Sequence, residues 1–153
     1  MFNYLDNLFV NLFFRSSNNK PKKYFGKMIT KGLIMAEHNE LGKKGEKLAV
    51  DFLIENGYKI LEKNYRYLKA EVDIIAQIKD ILAAVEVKTR SSDYFGNPQD
   101  FITPKKIKLL VSAIDYYVVQ RDLDVEVRFD VIAVLCKKND TKIEHLENAF
   151  LHF

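Results

Sequence analysis

The chain has 153 residues, 48% of them hydrophobic and 29% charged, enough apolar material for one buried core and a composition that excludes global disorder. A single cysteine, Cys136, excludes an internal disulfide and a multi-cysteine zinc site. The formal charge of +3 does not by itself argue for nucleic acid. Residues 1–34 carry six basic residues against Asp6, a balance of +5, and residues 35–153 carry 18 basic and 20 acidic residues, a balance of −2.

In chain order, residues 1–34 read as a variable N-terminal extension and residues 35–153 as the folded domain, with Met35 a candidate natural start. Phe2, Tyr4, Leu5, Leu8, Phe9, Leu12 and Phe13 make a short amphipathic pattern, and Pro21 interrupts any helix in the polar stretch after it. The extension packs on the domain or stays mobile in this reading; attachment to a membrane surface or docking on a partner is the other role open to it. No apolar run approaches the roughly 20 residues of a membrane span. Asp6 and Asn11 dilute the apolar segment that a signal peptide needs. The expectation is a cytoplasmic protein without integral membrane insertion.

LGKKGEKLAVDFLIENG sets Leu41, Leu48, Ala49, Phe52 and Leu53 on one helical face, with Gly57 as terminator and Gly42 and Gly45 permitting a turn or helix entry. YKILEKNYR follows as a strand. EVDIIAQ and ILAAVEVKTR read as a hairpin turning at Lys79 and Asp80. SSDYFGNP is a loop. Thr103 then caps a second helix, Pro104 takes its first position, and Ile107, Leu110, Val111, Ile114 and Val118 supply its buried face. VEVRFDVIAVLC is a strand, KKNDT a turn and KIEHLEN a final edge strand or extended segment. The predicted order is α-β-β-β-α-β-β, an α/β fold with a small mixed sheet flanked by helices.

The chemistry concentrates in AEVDIIAQ and AVEVKTR. Alternate strand residues share a face, so Glu71 and Asp73 point together, as do Glu86 and Lys88. A two-residue turn would pair Asp73 with Glu86 and Glu71 with Lys88. Two carboxylates brought together need a proton or a cation. Mg²⁺, a hard cation, is satisfied by such oxygens with water and phosphate, with Mn²⁺ the alternative. Lys88 would steer the water or screen the phosphate. The bland reading is a surface ion-pair ladder. Core-like DIIA and AAVEV around the charges argue for a clustered site. Glu46 is a further acidic candidate, placed at the beginning of the first helix, where favourable interaction with the helix start is the structural alternative.

LGKKGEKLAVDFL, GYKILEKNYR, AEVDIIA, VEVKTRSS, FGNP, TPKK, RFDVIAV and IEHLENAF together resemble the YraN family over about residues 36–150. That bacterial family is related to restriction-endonuclease-fold nucleases and Holliday-junction resolvases. The resemblance implies a restriction-endonuclease-like core whose D…ExK arrangement falls on Asp73, Glu86 and Lys88. Glu46 matches the extra acidic position of resolvase-like members, and Glu71 the acid preceding the strand aspartate. The leader lies outside the match, and AAVEVK is less bulky than the common family run; neither departure removes a chemical group.

The expected function is metal-dependent hydrolysis of DNA phosphodiester bonds, with branched or repair intermediates as candidate substrates. In this expectation Asp73 and Glu86, assisted by Glu46, hold the metal. Arg66, Arg90, Tyr94, Lys105, Lys106 and Lys108 are the candidate nucleic-acid contacts. Lys105, Lys106 and Lys108 read equally well as a solvated helix surface. Arg128 and Asp130 share strand parity and are expected to brace the sheet as a pair, with Phe129 and Phe150 as packing residues. His38, His145 and His152 lack metal-ligand spacing. Apolar edge segments are compatible with a homodimer. The alternatives are a nucleic-acid-binding protein without catalysis and a scaffold in DNA processing.

Overall fold

The computed structural model describes residues 23–91, 102–137 and 140–150. The amphipathic pattern at residues 2–13, most of the SSDYFGNP loop with Tyr94, and His152 lie outside the described residues, as does the side chain of His38. The chain divides into two compact units, Met1–Ala36 and Glu37–Phe153.

Helix α1 spans Lys23–Glu55, beginning two residues after Pro21 and much earlier than the expected start near residue 41. Neither Gly42 nor Gly45 breaks it, and both lie within the helix rather than at its entry. Gly57, with φ +85°, ends it: its N–H reaches Ile54 C=O at 3.0 Å and the Tyr58 N–H reaches Leu53 C=O at 2.9 Å. Those two bonds satisfy carbonyls that the helix leaves over. Helix α2, Pro104–Gln120, is capped by Thr103, whose hydroxyl accepts the Lys106 N–H at 3.3 Å. Its buried stripe is Leu110, Ala113, Ile114 and Tyr117. Ile107, Val111 and Val118 lie half-buried on the flanks, because the stripe centres on the small Ala113, which lets the helix approach the sheet.

Five strands, β1 (Lys59–Tyr67), β2 (Ala70–Ile78), β3 (Ile81–Arg90), β4 (Glu126–Cys136) and β5 (Thr141–Leu146), form one sheet in sequence order. β3 and β4 are parallel, as a strand pair joined through a helix allows; the other neighbours are antiparallel. Two-residue loops join β1 to β2 at Leu68–Lys69 and β2 to β3 at Lys79–Asp80. Leu68 and Lys79 take φ of +52° and +53°, the left-handed conformation that tight hairpins demand. The observed order α-β-β-β-α-β-β is the predicted one, and the mixed sheet with its helices is consistent with a restriction-endonuclease-like core.

Ala49 and Leu53 of α1 pack with Tyr58, Ile74, Ala76, Ala83, Val85, Val87, Ile132 and Val134 on one face of the sheet. The α2 stripe packs with Val72, Ile75, Leu82, Ala84 and Phe129 on the other. Strict alternation along β3 therefore assigns Glu86 and Lys88 to the α2 face. Alternation fails at one point of β2. Val72 and Ile75 face α2 while Ile74 and Ala76 face α1, so the strand changes face at Asp73. Opposite it, Asn64 of β1 has φ +53°, between the pairs Lys63–Ile74 and Tyr65–Val72. The irregularity is shared by both strands, a device that re-aims a side chain.

Candidate functional site

Asp73 stands where the strand changes face. The β2–β3 register runs from Ile78–Ile81 to Ile74–Val85 and, taken further, would set Asp73 opposite Glu86. Instead the ladder stops, and Asp73 Oδ2 accepts the Val87 N–H at 2.7 Å. The expected Asp73–Glu86 and Glu71–Lys88 strand pairs are thus corrected: the register is the expected one, but the face change substitutes a carboxylate for a backbone acceptor. Glu71 bonds instead to Arg66 of β1, at 3.1 Å.

Glu86 is 4% exposed on the α2 face. Lys88 Nζ donates to its Oε1 at 2.6 Å. Its Oε2 lies 3.1 Å from Lys106 Nζ, yet makes no hydrogen bond, the only buried side-chain oxygen or nitrogen so left among the described residues. The separation makes this an ion pair; the approach direction is wrong for a hydrogen bond. Lys106 Nζ donates to the Glu71 carbonyl at 2.9 Å. Burial, and next the neighbouring Glu86 charge, push the Asp73 carboxyl up to about 6, against the Val87 N–H and the two lysines, which lower it.

On the α1 side, Asp73 opens into a cleft of about 340 Å³ that it lines with Glu46, Asp51, Asn64, Lys43, Lys47 and Lys63. Glu46 lies inside α1, not at its start as expected, so the helix-start alternative does not apply to it. The reason it reaches the sheet is its neighbour. A Cβ on Gly45 would collide with Thr89 Oγ1, so only glycine lets α1 approach β3 this closely.

The expected cationic contacts separate. Lys106 turns inward to Glu86, whereas Lys105 and Lys108 stay exposed on the first turns of α2, beside Pro104 and Leu109. Three lysines at the positive end of a helix oppose its dipole by roughly 0.3–1 kcal/mol each, so their placement is not a helix-stabilising choice. Arg66 and Arg90 are exposed on β1 and β3. Sequence reasoning missed Lys43, Lys47, Lys63 and Asn64. The signal for the first two was their spacing of four around Glu46, one helical turn on one face.

Away from this site, Asp130 is fully buried between Arg128 and His145. Arg128 Nε and Nη2 donate to Asp130 at 2.9 and 2.8 Å, His145 Nε2 lies 2.9 Å from it, and the Asn148 N–H donates at 2.9 Å. Arg128 Nη2 also donates to Tyr58 Oη at 2.7 Å and to Glu147 at 3.1 Å. Burial alone would raise the Asp130 carboxyl, but the bonds from His145, Arg128 and Asn148 lower it below its usual value. Both Asp130 oxygens are partnered, which fits a brace between β4, β5 and the end of α1. Phe129 and Phe150 pack with ring centroids 5.3 Å apart.

Among the described residues no group of three or more His, Cys, Asp or Glu side chains is arranged to hold a metal. The acidic pair Asp73 and Glu86, with one oxygen lacking a hydrogen bond, does suit a hard divalent cation that takes one or two carboxylates and completes its shell with water and phosphate. No helix among the described residues is long and apolar enough to cross a membrane.

Residues 45–134 match the family described as Uncharacterised protein family UPF0102, a span that contains Glu46, Asp73, Glu86, Lys88, Lys106 and Asp130. The chain is 62% identical over 119 residues to a UPF0102 protein of Christiangramia forsetii, covering 78% of this chain and all of the relative. It is 60% identical over 119 residues to one of Flavobacterium psychrophilum, with the same coverage. Over 116 residues it is 45% identical to one of Phocaeicola vulgatus, covering 76% of this chain and 96% of the relative.

Proposed function

The chain belongs to the UPF0102 family, related to YraN-like proteins of the restriction-endonuclease fold, and from that premise we propose that it is a metal-dependent endonuclease hydrolysing DNA phosphodiester bonds. The observation that carries the reading is the coupled carboxylate pair, Asp73 and buried Glu86, with Lys88 at 2.6 Å from Glu86. A carboxyl raised by burial and by a neighbouring charge, beside a cleft, is the kind of perturbed group that clusters at functional sites.

In this reading Asp73 and Glu86 hold Mg²⁺ or Mn²⁺, and Glu46 assists from the cleft it shares with Asp73. The bound ion supplies positive charge that makes water a better nucleophile and offsets charge growing on the phosphate. Lys88, anchored by Glu86, orients the attacking water and donates toward the phosphate. Water oxygen bonds to phosphorus and gives up a proton to solvent, one ester P–O bond breaks, and the leaving oxygen takes up a proton from solvent. Lys43, Lys47 and Lys63 at the cleft contact flanking phosphates, with Arg66, Arg90, Tyr94, Lys105 and Lys108 as further backbone contacts. A branched substrate would suit a homodimer, whose two sites face symmetry-related strands.

A second reading is a nucleic-acid-binding protein without catalysis. It draws on the two lysines that already neutralise Glu86 and on the lack of a three-ligand group among the described residues. Cleavage of linear, single-stranded, flap and four-way DNA with Mg²⁺ or Mn²⁺ separates the two. The nuclease reading expects cleavage of at least one substrate, lost on chelation and reduced at least about 100-fold by Asp73→Ala and by Lys88→Ala. No cleavage of any substrate, or cleavage indifferent to both substitutions, would sink it and leave the binding reading.

A further inference from the structure

Lys106 belongs to the site by position, although it comes from a different element and some eighteen residues beyond Lys88. It is the third residue of α2, where the Thr103 hydroxyl holds its N–H, and its side chain crosses to β2 and β3. There its ammonium stands 3.1 Å from Glu86 Oε2 and 2.9 Å from the Glu71 carbonyl. The other Glu86 oxygen is held by Lys88. Two cations therefore share one buried carboxylate. Asp73 and Glu86, when ionised, are balanced by Lys88 and Lys106.

That balance has a consequence for any dication. It needs a Glu86 oxygen, and Oε1 is engaged by the better-aligned lysine, at hydrogen-bonding distance. Oε2 is the oxygen without a hydrogen bond, and among the described residues its ion-pair partner is Lys106. An ammonium and a dication cannot occupy the same side of one carboxylate oxygen in a weakly screened site without strong repulsion. We propose that Lys106 is a positioning residue that competes with the divalent cation for Glu86 Oε2: the ion binds as Lys106 leaves, and Lys106 thereby sets the metal affinity of the site. Released from Glu86, the ammonium becomes available to the substrate phosphate. The proposal rests on the reading that Asp73 and Glu86 are the metal-holding pair.

The test is Mn²⁺ binding to the full chain, followed by calorimetry and by the electron paramagnetic resonance of free Mn²⁺, with folding checked by circular dichroism. Lys106→Met and Lys106→Gln should bind Mn²⁺ about tenfold more tightly than the wild type. Lys106→Arg, which keeps the charge, should stay near the wild-type affinity; tighter binding by the neutral variants beside an unchanged arginine variant is the pattern that a merely structural lysine would not produce. Equal or weaker binding by Lys106→Met, with Glu86→Gln weaker still, overturns the proposal and leaves the metal-holding pair in place. If Mn²⁺ binds neither the wild type nor Lys106→Met, or binds Asp73→Asn and Glu86→Gln as well as the wild type, the pair itself falls and the proposal with it. Should the neutral variants not fold, the wild type still decides. With ¹³Cε-labelled lysine, saturating Mg²⁺ should shift the resonance that is missing from Lys106→Arg; an unmoved resonance in a metal-bound protein refutes competition.

Discussion

The Asp73 carboxylate accepts the Val87 backbone N–H at 2.7 Å, taking a place in the sheet that a main-chain carbonyl would otherwise hold. The acid is thus built into the strand pair and at the same time exposed to the field of Glu86. One group serves the sheet and the candidate site together; the Val87 bond favours its ionised form, while burial and Glu86 oppose it.

Asp73 titrates near 6 in the folded chain, chiefly through burial and then through Glu86, against an ordinary value of 3.8. A raised carboxyl binds its proton more tightly folded than unfolded. Its ionisation therefore leaves stability untouched below about pH 4 and lowers it progressively up to about pH 6, by at most roughly 3 kcal/mol. Asp73→Asn, which can still accept the Val87 N–H, should be more stable than the wild type at pH 7.5 and lose that advantage at pH 4. Urea unfolding of both proteins across this range checks the sign; equal stability at every pH would refute it.

Arg128 is the counter-case. Asp130 has no exposure and a lowered pKa, so its contribution to stability is present at neutral pH and fades as pH falls through the folded value, below 3.8. Arg128→Met would strand that carboxylate with His145 and one backbone N–H. The expected loss at pH 7 is about 3–5 kcal/mol, measured by chemical denaturation. A loss under about 1 kcal/mol would mean that the cluster is no brace.

Gly45→Ala inserts a methyl where Thr89 Oγ1 already stands. Helix propensity alone would favour alanine by about 1 kcal/mol. Overpacking against β3 should outweigh it and leave a net loss of roughly 2 kcal/mol. Adding Thr89→Ala should restore part of the loss. A more stable single variant would show that α1 and β3 do not meet as described.

Leu68 is 87% exposed and left-handed in its turn. Asparagine tolerates that backbone better, and the leucine has little contact to forfeit. Leu68→Asn should raise stability by about 0.5–1 kcal/mol in thermal or urea unfolding. A decrease would indicate that the leucine packs against something.

Much of the fold was legible because its determinants are local. Gly57 and Thr103 end and begin helices by bonds within six residues of themselves. The hairpin at Lys79–Asp80 follows from two apolar runs two residues apart, and its register alone brings Asp73 near Glu86. The start of α1 differs from the expected one for a local reason as well: Gly42 and Gly45 suggest a turn or helix entry, whereas Gly45 is there for a contact with a strand forty-four residues away.

The sequence by itself determined the order of elements, the hairpin register and the types of side chain gathered at Asp73, Glu86 and Lys88, since periodicity and turn length operate over a few residues. Only the tertiary structure decided that the strand changes face at Asp73, that Lys106 rather than Glu71 completes the group around Glu86, and that Lys43, Lys47 and Lys63 border the cleft. These are outcomes of packing two helices on opposite faces of one sheet. Lys43 and Lys47 share a helical turn with Glu46, but the strand and α2 charges they join are ten or more residues away in sequence, and no spacing rule links the elements until the core has brought them together.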